Sequence, residues 1–186
     1  MKVAIDPGHG MSNASAGVFD PGAVKRVGGV TFAEADIVLR YGHTLRRLFE
    51  DSGIEVFMTR SSSADPAPVG RRARRAADAG CTHFVSLHMN SFRTSQANGV
   101  EVQFRDSRKD KPLADALLRK LLQVTGLNDH GNDVRTDLAV LRFGPGPAVL
   151  IELGFISNDR DRNFLLEGGN RDAVCRGIFD VITGRG

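Results

Sequence analysis

The clearest periodicity runs from Phe32 to Asp51, where Ile37, Val38, Tyr41, Leu45, Leu48 and Phe49 recur about every 3.6 residues. That spacing predicts an amphipathic helix, capped by Thr31 and ended by Ser52-Gly53. Glu34 precedes Val38 by one helical turn, so a carboxylate falls on the core-facing stripe, while His43 turns toward solvent. Further helical patterns cover Val69 to Ala79, Leu113 to Val124 (stopped by Gly126) and Asp172 to Ile182.

Short apolar runs between these helices read as strands: Val3 to Ile5, Ile54 to Met58, Thr82 to Leu87, Val100 to Phe104, Leu138 to Leu141 and Pro147 to Leu153. Met11 to Val30, rich in Gly, Ser and Ala, is expected to form a long surface loop. Strands alternating with helices predict an α/β fold: a single domain over 1–186, with a mostly parallel or mixed twisted sheet covered by helices on both faces. The Val100 and Leu138 strands are the ones expected to make the sheet mixed.

The run Ala148 to Ile151, followed by Glu152 and Leu153, changes the picture. It is apolar enough for a strand buried on both faces, yet it encloses one carboxylate. A Glu is rarely placed there without a partner, and its sequence neighbours include no Lys or Arg.

Composition narrows the classes without choosing among them. No stretch has the length and apolarity of a membrane-spanning helix. Net charge is +3, and Arg71, Arg72, Arg74 and Arg75 cluster on one predicted helix, where a solvated face is expected. With no Trp and one Tyr, base-stacking platforms are scarce, so nucleic acid is not an expected partner. Cys81 and Cys175 are far apart without CxxC spacing, and two buried free thiols are expected. Lys2 to Asp6 enters strand-like alternation directly and is broken by Pro7 and Gly8, without the pattern of a secretory signal.

Three polar residues stand at equivalent places. His9 follows the first strand, His88 ends the third and Glu152 ends the last, and in open α/β sheets sites form at the carboxyl ends of strands. Glu34, opening the first helix, is brought to the same end. Two His with one or two carboxylates form the donor set of a catalytic zinc site, which leaves one position for water. Each residue taken alone has a structural alternative, such as Glu34 complementing the helix dipole. His83 falls on the opposite strand face from His88, and His130 lies in a polar loop. The loop Gly8-His9-Gly10 lacks the spacing of nucleotide-binding loops.

These segments resemble the zinc-dependent N-acetylmuramoyl-L-alanine amidases, a family of cell-wall amidases, autolysins and phage endolysins. The resemblance is carried, in order, by Ile5-Asp6-Pro7-Gly8-His9-Gly10, Asp20-Pro21-Gly22-Ala23, Glu34, Thr59-Arg60, Ser86 to Ser91, Gly99-Val100-Glu101-Val102 and Glu152 to Asn158. It implies that His9, Glu34 and His88 bind Zn2+ and that Glu152 is the catalytic carboxylate. It also implies a peptidoglycan substrate, cut between N-acetylmuramic acid and L-alanine. Two features depart from the family pattern: Met11 to Phe19 separates the first two motifs, and Ala35 follows Glu34 where Lys is common.

Two other readings share these residues: a zinc peptidase cutting stem peptides or cross-links, and a non-catalytic wall-binding module that would have no use for Glu152. A monomer acting on the cell wall or in the periplasm is expected, released in the manner of a phage enzyme or forming one domain of a larger autolysin.

Overall fold

The computed structural model describes residues 1–185. In chain order the strands are β1 (Lys2–Pro7), β2 (Gly10–Met11), β3 (Phe19–Asp20), β4 (Val24–Val27), β5 (Val30–Ala33), β6 (Glu55–Met58), β7 (His83–Asn90), β8 (Val100–Phe104), β9 (Asp129–Val134) and β10 (Ala148–Phe155). The helices are α1 (Glu34–Glu50), α2 (Val69–Asp78), α3 (Lys111–Thr125), α4 (Asp159–Leu166) and α5 (Gly168–Thr183). Six strands form one sheet in the order β6-β1-β7-β10-β8-β9. The first four run parallel, β8 runs antiparallel to β10, and β9 runs parallel to β8. Interior position explains the apolar character of β1, β7 and β10, since both faces of each are covered.

The two faces are covered unequally. Val3, Ile5, Val85, Leu87, Val102, Val149 and Ile151 point into the larger core, against α1, α3 and α5. Alternate residues Ala4, Phe84, Ala148 and Leu150 point the other way, against Ala73 and Ala76 of α2 and a short 3-10 turn at Ala139–Leu141. Toward the carboxyl ends of the strands that second face turns polar, with Asp6, Ser86, His88 and Glu152.

Several sequence expectations are corrected here. Met11 to Val30 is not one loop but carries the hairpins β2–β3 and β4–β5. These strands are only two to four residues long and mostly half-buried or exposed, so they leave no apolar alternation to read. Leu138 to Leu141 is not a strand; it enters the 3-10 turn, which buries Val140 and Leu141. The edge position belongs to β9, whose sequence DHGNDV is polar, as an exposed edge strand permits. Thr31 lies in β5 and does not cap α1. Instead the first amides of α1 are satisfied by a turn: Glu34 N donates to Ala23 O at 2.9 Å and Ala35 N to Pro21 O at 3.0 Å. Helix α4 carries no strong apolar stripe and begins at Asn158, whose side chain accepts the Asp161 amide at 3.1 Å.

Other expectations agree with the structure. Helix α3 ends at Gly126 in the left-handed conformation, with φ 60°. Cys81 and Cys175 are buried free thiols. Among the described residues no helix is long and apolar enough to cross a membrane.

Candidate metal centre

The centre forms where β1 and β7 end beside the start of α1. His9 adopts a left-handed backbone with φ 60°, uncommon outside glycine, which turns the chain sharply after Pro7-Gly8. Close approach demands glycine on both sides of the ring cluster. A Cβ at Gly8 would lie 2.3 Å from His88 Cε1, and one at Gly22 would lie 2.6 Å from Glu34 Oε2.

Glu34 is 3% exposed and is the hub. Its Oε1 faces His9 Nε2 at 3.1 Å and His88 Nδ1 at 2.9 Å, and accepts the Met89 amide at 3.0 Å. Its Oε2 accepts the Ala23 amide at 2.8 Å, returning the bond by which Ala23 tethers α1. Burial opposes ionisation of Glu34, but the two imidazoles outweigh it and hold the carboxyl well below the usual range. Burial likewise disfavours charge on His9, yet Glu34 and Asp20 overcome it and raise its pKa to about 9.

The donor atoms of His9, Glu34 and His88 lie within 4.8 Å of one another, close enough for one ion to touch all three. Two imidazole nitrogens and one carboxylate oxygen are the donor chemistry of a catalytic zinc site. Outer partners support the fit. His9 Nδ1 donates to Asp20 Oδ2 at 2.9 Å, which leaves Nε2 directed at Glu34, the carboxylate–histidine arrangement that orients metal ligands.

Glu152 stands at the same strand ends, paired in register with His88 on β7 and with Glu101 on β8. Its Oε2 is buried and has no hydrogen-bond partner. Desolvation, reinforced by Glu34 and Glu101 against the opposing histidines, raises its pKa to about 7. Glu101 is itself held by Asn90 Nδ2 and Gln103 Nε2, both at 3.0 Å. A carboxylate with a free buried oxygen and a proton affinity near neutrality is equipped to move protons.

The structure therefore brings together all four of the residues His9, Glu34, His88 and Glu152. It leaves His83 at the far end of β7, beside Thr82, and packs His130 against Phe155 on the rim. One expectation fails: Arg72 is not on a solvated face but is 1% exposed, while Arg71, Arg74 and Arg75 stay in solvent. A signal existed, since Arg72 shares its helix stripe with the buried Ala73 and Ala76. Arg60 is likewise buried, donating to Pro7 O at 2.9 Å and Gly8 O at 2.8 Å. Asp20, Asn13 and these two arginines support the site through contacts between distant segments, which no spacing along the chain signals.

A family model described as N-acetylmuramoyl-L-alanine amidase matches residues 3–184. LytH, a probable cell wall amidase of Staphylococcus epidermidis, is 31% identical over 179 residues, which is 96% of this chain and 56% of that protein. The N-acetylmuramoyl-L-alanine amidase CwlM of Mycobacterium tuberculosis is 30% identical over 188 residues, covering 97% of this chain and 44% of its own length. The chain thus spans about half the length of the curated relatives it matches. Among solved structures, the catalytic domain of CwlV from Bacillus (Paenibacillus) polymyxa superposes with a TM-score of 0.86 at 29% identity, covering 99% of this chain and 97% of that one. AmiC2 of Nostoc punctiforme, also an N-acetylmuramoyl-L-alanine amidase, gives 0.85 at 27% identity, covering 100% and 96%. With the fold, the order of its motifs and these matches in agreement, the chain belongs to the N-acetylmuramoyl-L-alanine amidase family.

Proposed function

We propose that this chain is a zinc-dependent catalytic domain that hydrolyses the amide between N-acetylmuramic acid and L-alanine in bacterial peptidoglycan. The observation that carries the proposal is the His9–Glu34–His88 donor cluster beside a buried, unpartnered Glu152 oxygen. His9, Glu34 and His88 would hold the ion, with Asp20 orienting His9. When bound, zinc supplies a Lewis acid that makes water acidic enough to attack an unactivated amide at neutral pH.

The remaining chemistry falls to Glu152. Its free Oε2 accepts the proton that water loses as the new C–O bond forms. Glu152 then delivers that proton to the nitrogen of L-alanine as the C–N bond breaks, which releases a neutral amine. Burial of the Glu152 carboxylate favours its protonated form, which helps it take the proton from water.

Digestion of purified peptidoglycan with and without a chelator, followed by mass spectrometry, tests the proposal. Free stem peptides beginning at L-alanine, lost on chelation and restored by zinc, are expected. Cleaved cross-links on peptides still attached to muramic acid would replace this reading with a peptidase.

A further inference from the structure

We infer that Arg72 is a positioning residue for the metal centre, acting on His9 through a relay of Asn13 and Asp20. The inference rests on the zinc site proposed above.

Arginine has five N–H donors and no acceptor. Arg72 makes five bonds from within the protein: Nε to Ala67 O at 2.9 Å, Nη1 to Asp6 Oδ1 at 2.7 Å and to Pro7 O at 3.1 Å, and Nη2 to His9 O at 2.6 Å and to Asn13 Oδ1 at 3.0 Å. A buried ion pair with Asp6 accounts for only one of these. Three others end on the segment that carries His9, and Ala67 O takes the fifth.

The bond to Asn13 has a directional consequence. Because a guanidinium can only donate, the Asn13 carbonyl must face Arg72, and its NH2 must then face the other way. There it donates to Asp20 Oδ2 at 2.6 Å, the same oxygen that accepts His9 Nδ1. Asp20 needs this second restraint: its side chain is 29% exposed, and its other oxygen is held only by the Gly22 amide at 2.9 Å. Arg72 therefore grips the ligand at both ends, its carbonyl directly and its imidazole through two intervening side chains. The grip also stabilises a left-handed backbone conformation that residues other than glycine seldom adopt. Asn13 lies in the stretch Met11 to Phe19 that separates the first two family motifs, so that stretch supplies a working part of the site.

The test is zinc affinity, measured by competition with a chromophoric chelator, alongside the unfolding midpoint of the metal-free protein. Asn13→Ala, in a half-buried loop side chain, is expected to weaken zinc binding about tenfold, the lower end for outer partners of a metal ligand, with the midpoint unchanged. Arg72→Lys keeps a charge for Asp6 but lacks the fork, and is expected to weaken binding by roughly ten- to a hundredfold. The double variant should bind no more weakly than Arg72→Lys alone, because both changes break one chain. Wild-type affinity in Asn13→Ala, or effects that multiply independently in the double variant, would overturn the relay. A wild type that binds no zinc would overturn the site and the relay together, so the two failures are distinguishable.

Discussion

The two faces of β7 and β10 hold opposite kinds of order. Val85, Leu87, Val149 and Ile151 on one face meet α1, α3 and α5 through contacts that have no direction. On the other face Ser86, His88 and Glu152 stand at the same strand ends, and around Ser86 every buried polar atom has a designated partner. Asp6 takes Thr59 Oγ1 at 2.5 Å, Arg72 at 2.7 Å and Ser86 Oγ at 2.7 Å, and burial of its charge is outweighed by Arg72 and the two hydroxyls, which hold its pKa low. The apolar face can absorb a change of shape by local repacking. The polar face cannot lose one member without stranding the next, because an unpaired buried group keeps its full desolvation cost.

The two faces differ most at Glu152. Glu152→Gln is expected to fold and keep one zinc per chain while turnover falls by roughly two to four orders of magnitude. His88→Ala, by contrast, should lose the metal. Elemental analysis together with product release separates the two, and near-normal turnover in Glu152→Gln would remove it from the mechanism.

A smaller effect, on stability, is expected from Asp6→Ala. It leaves Arg72 buried without a counter-charge and should cost about 3–5 kcal/mol in urea unfolding, whereas a loss under about 1 kcal/mol would mean that the pair is solvated. On the apolar face Ile178→Ala, in α5, should cost roughly 2–5 kcal/mol. Its zinc stoichiometry and its activity per folded molecule should be retained. Coupled loss of zinc there would show that the two faces are not independent.

The smallest expected effect depends on pH. The folded pKa of Glu152, about 7, lies above its ordinary 4.5, so the fold favours the neutral carboxyl. That contribution is whole below the ordinary value and is lost as pH rises through about 7. Metal-free wild type should therefore lose stability relative to Glu152→Gln between about pH 5 and about pH 8, by up to about 3 kcal/mol. Parallel stability curves for the two proteins would show that the carboxyl is solvated.

Much of this was legible in the chain. The apolar run around Glu152 identified a central strand, and the helical stripe carrying Glu34 placed a carboxylate where the strand ends converge. His9 and His88 followed from their positions after strands. Where the signal was weak, the reading failed for identifiable reasons. Strand β9 is polar because an edge needs no buried face, and the hairpins before α1 are too short and too exposed to show alternation. By residue type Arg72 belongs in solvent, yet its helical spacing matches the buried alanines Ala73 and Ala76.

By itself, then, the sequence determined the principal helices, the interior strands, the class of fold and the four side chains proposed for the centre, because hydrophobic period and residue chemistry are local properties. Only the tertiary structure decided which groups hold those side chains in place. Asp20 on His9, Asn13 on Asp20 and Arg72 on both Asp6 and Asn13 are pairings between separate segments, from residue 6 to residue 72. Hydrogen bonds form only at about 3 Å with the donor directed at its acceptor. No pattern along a chain specifies such distances until the sheet and helices have brought the segments together.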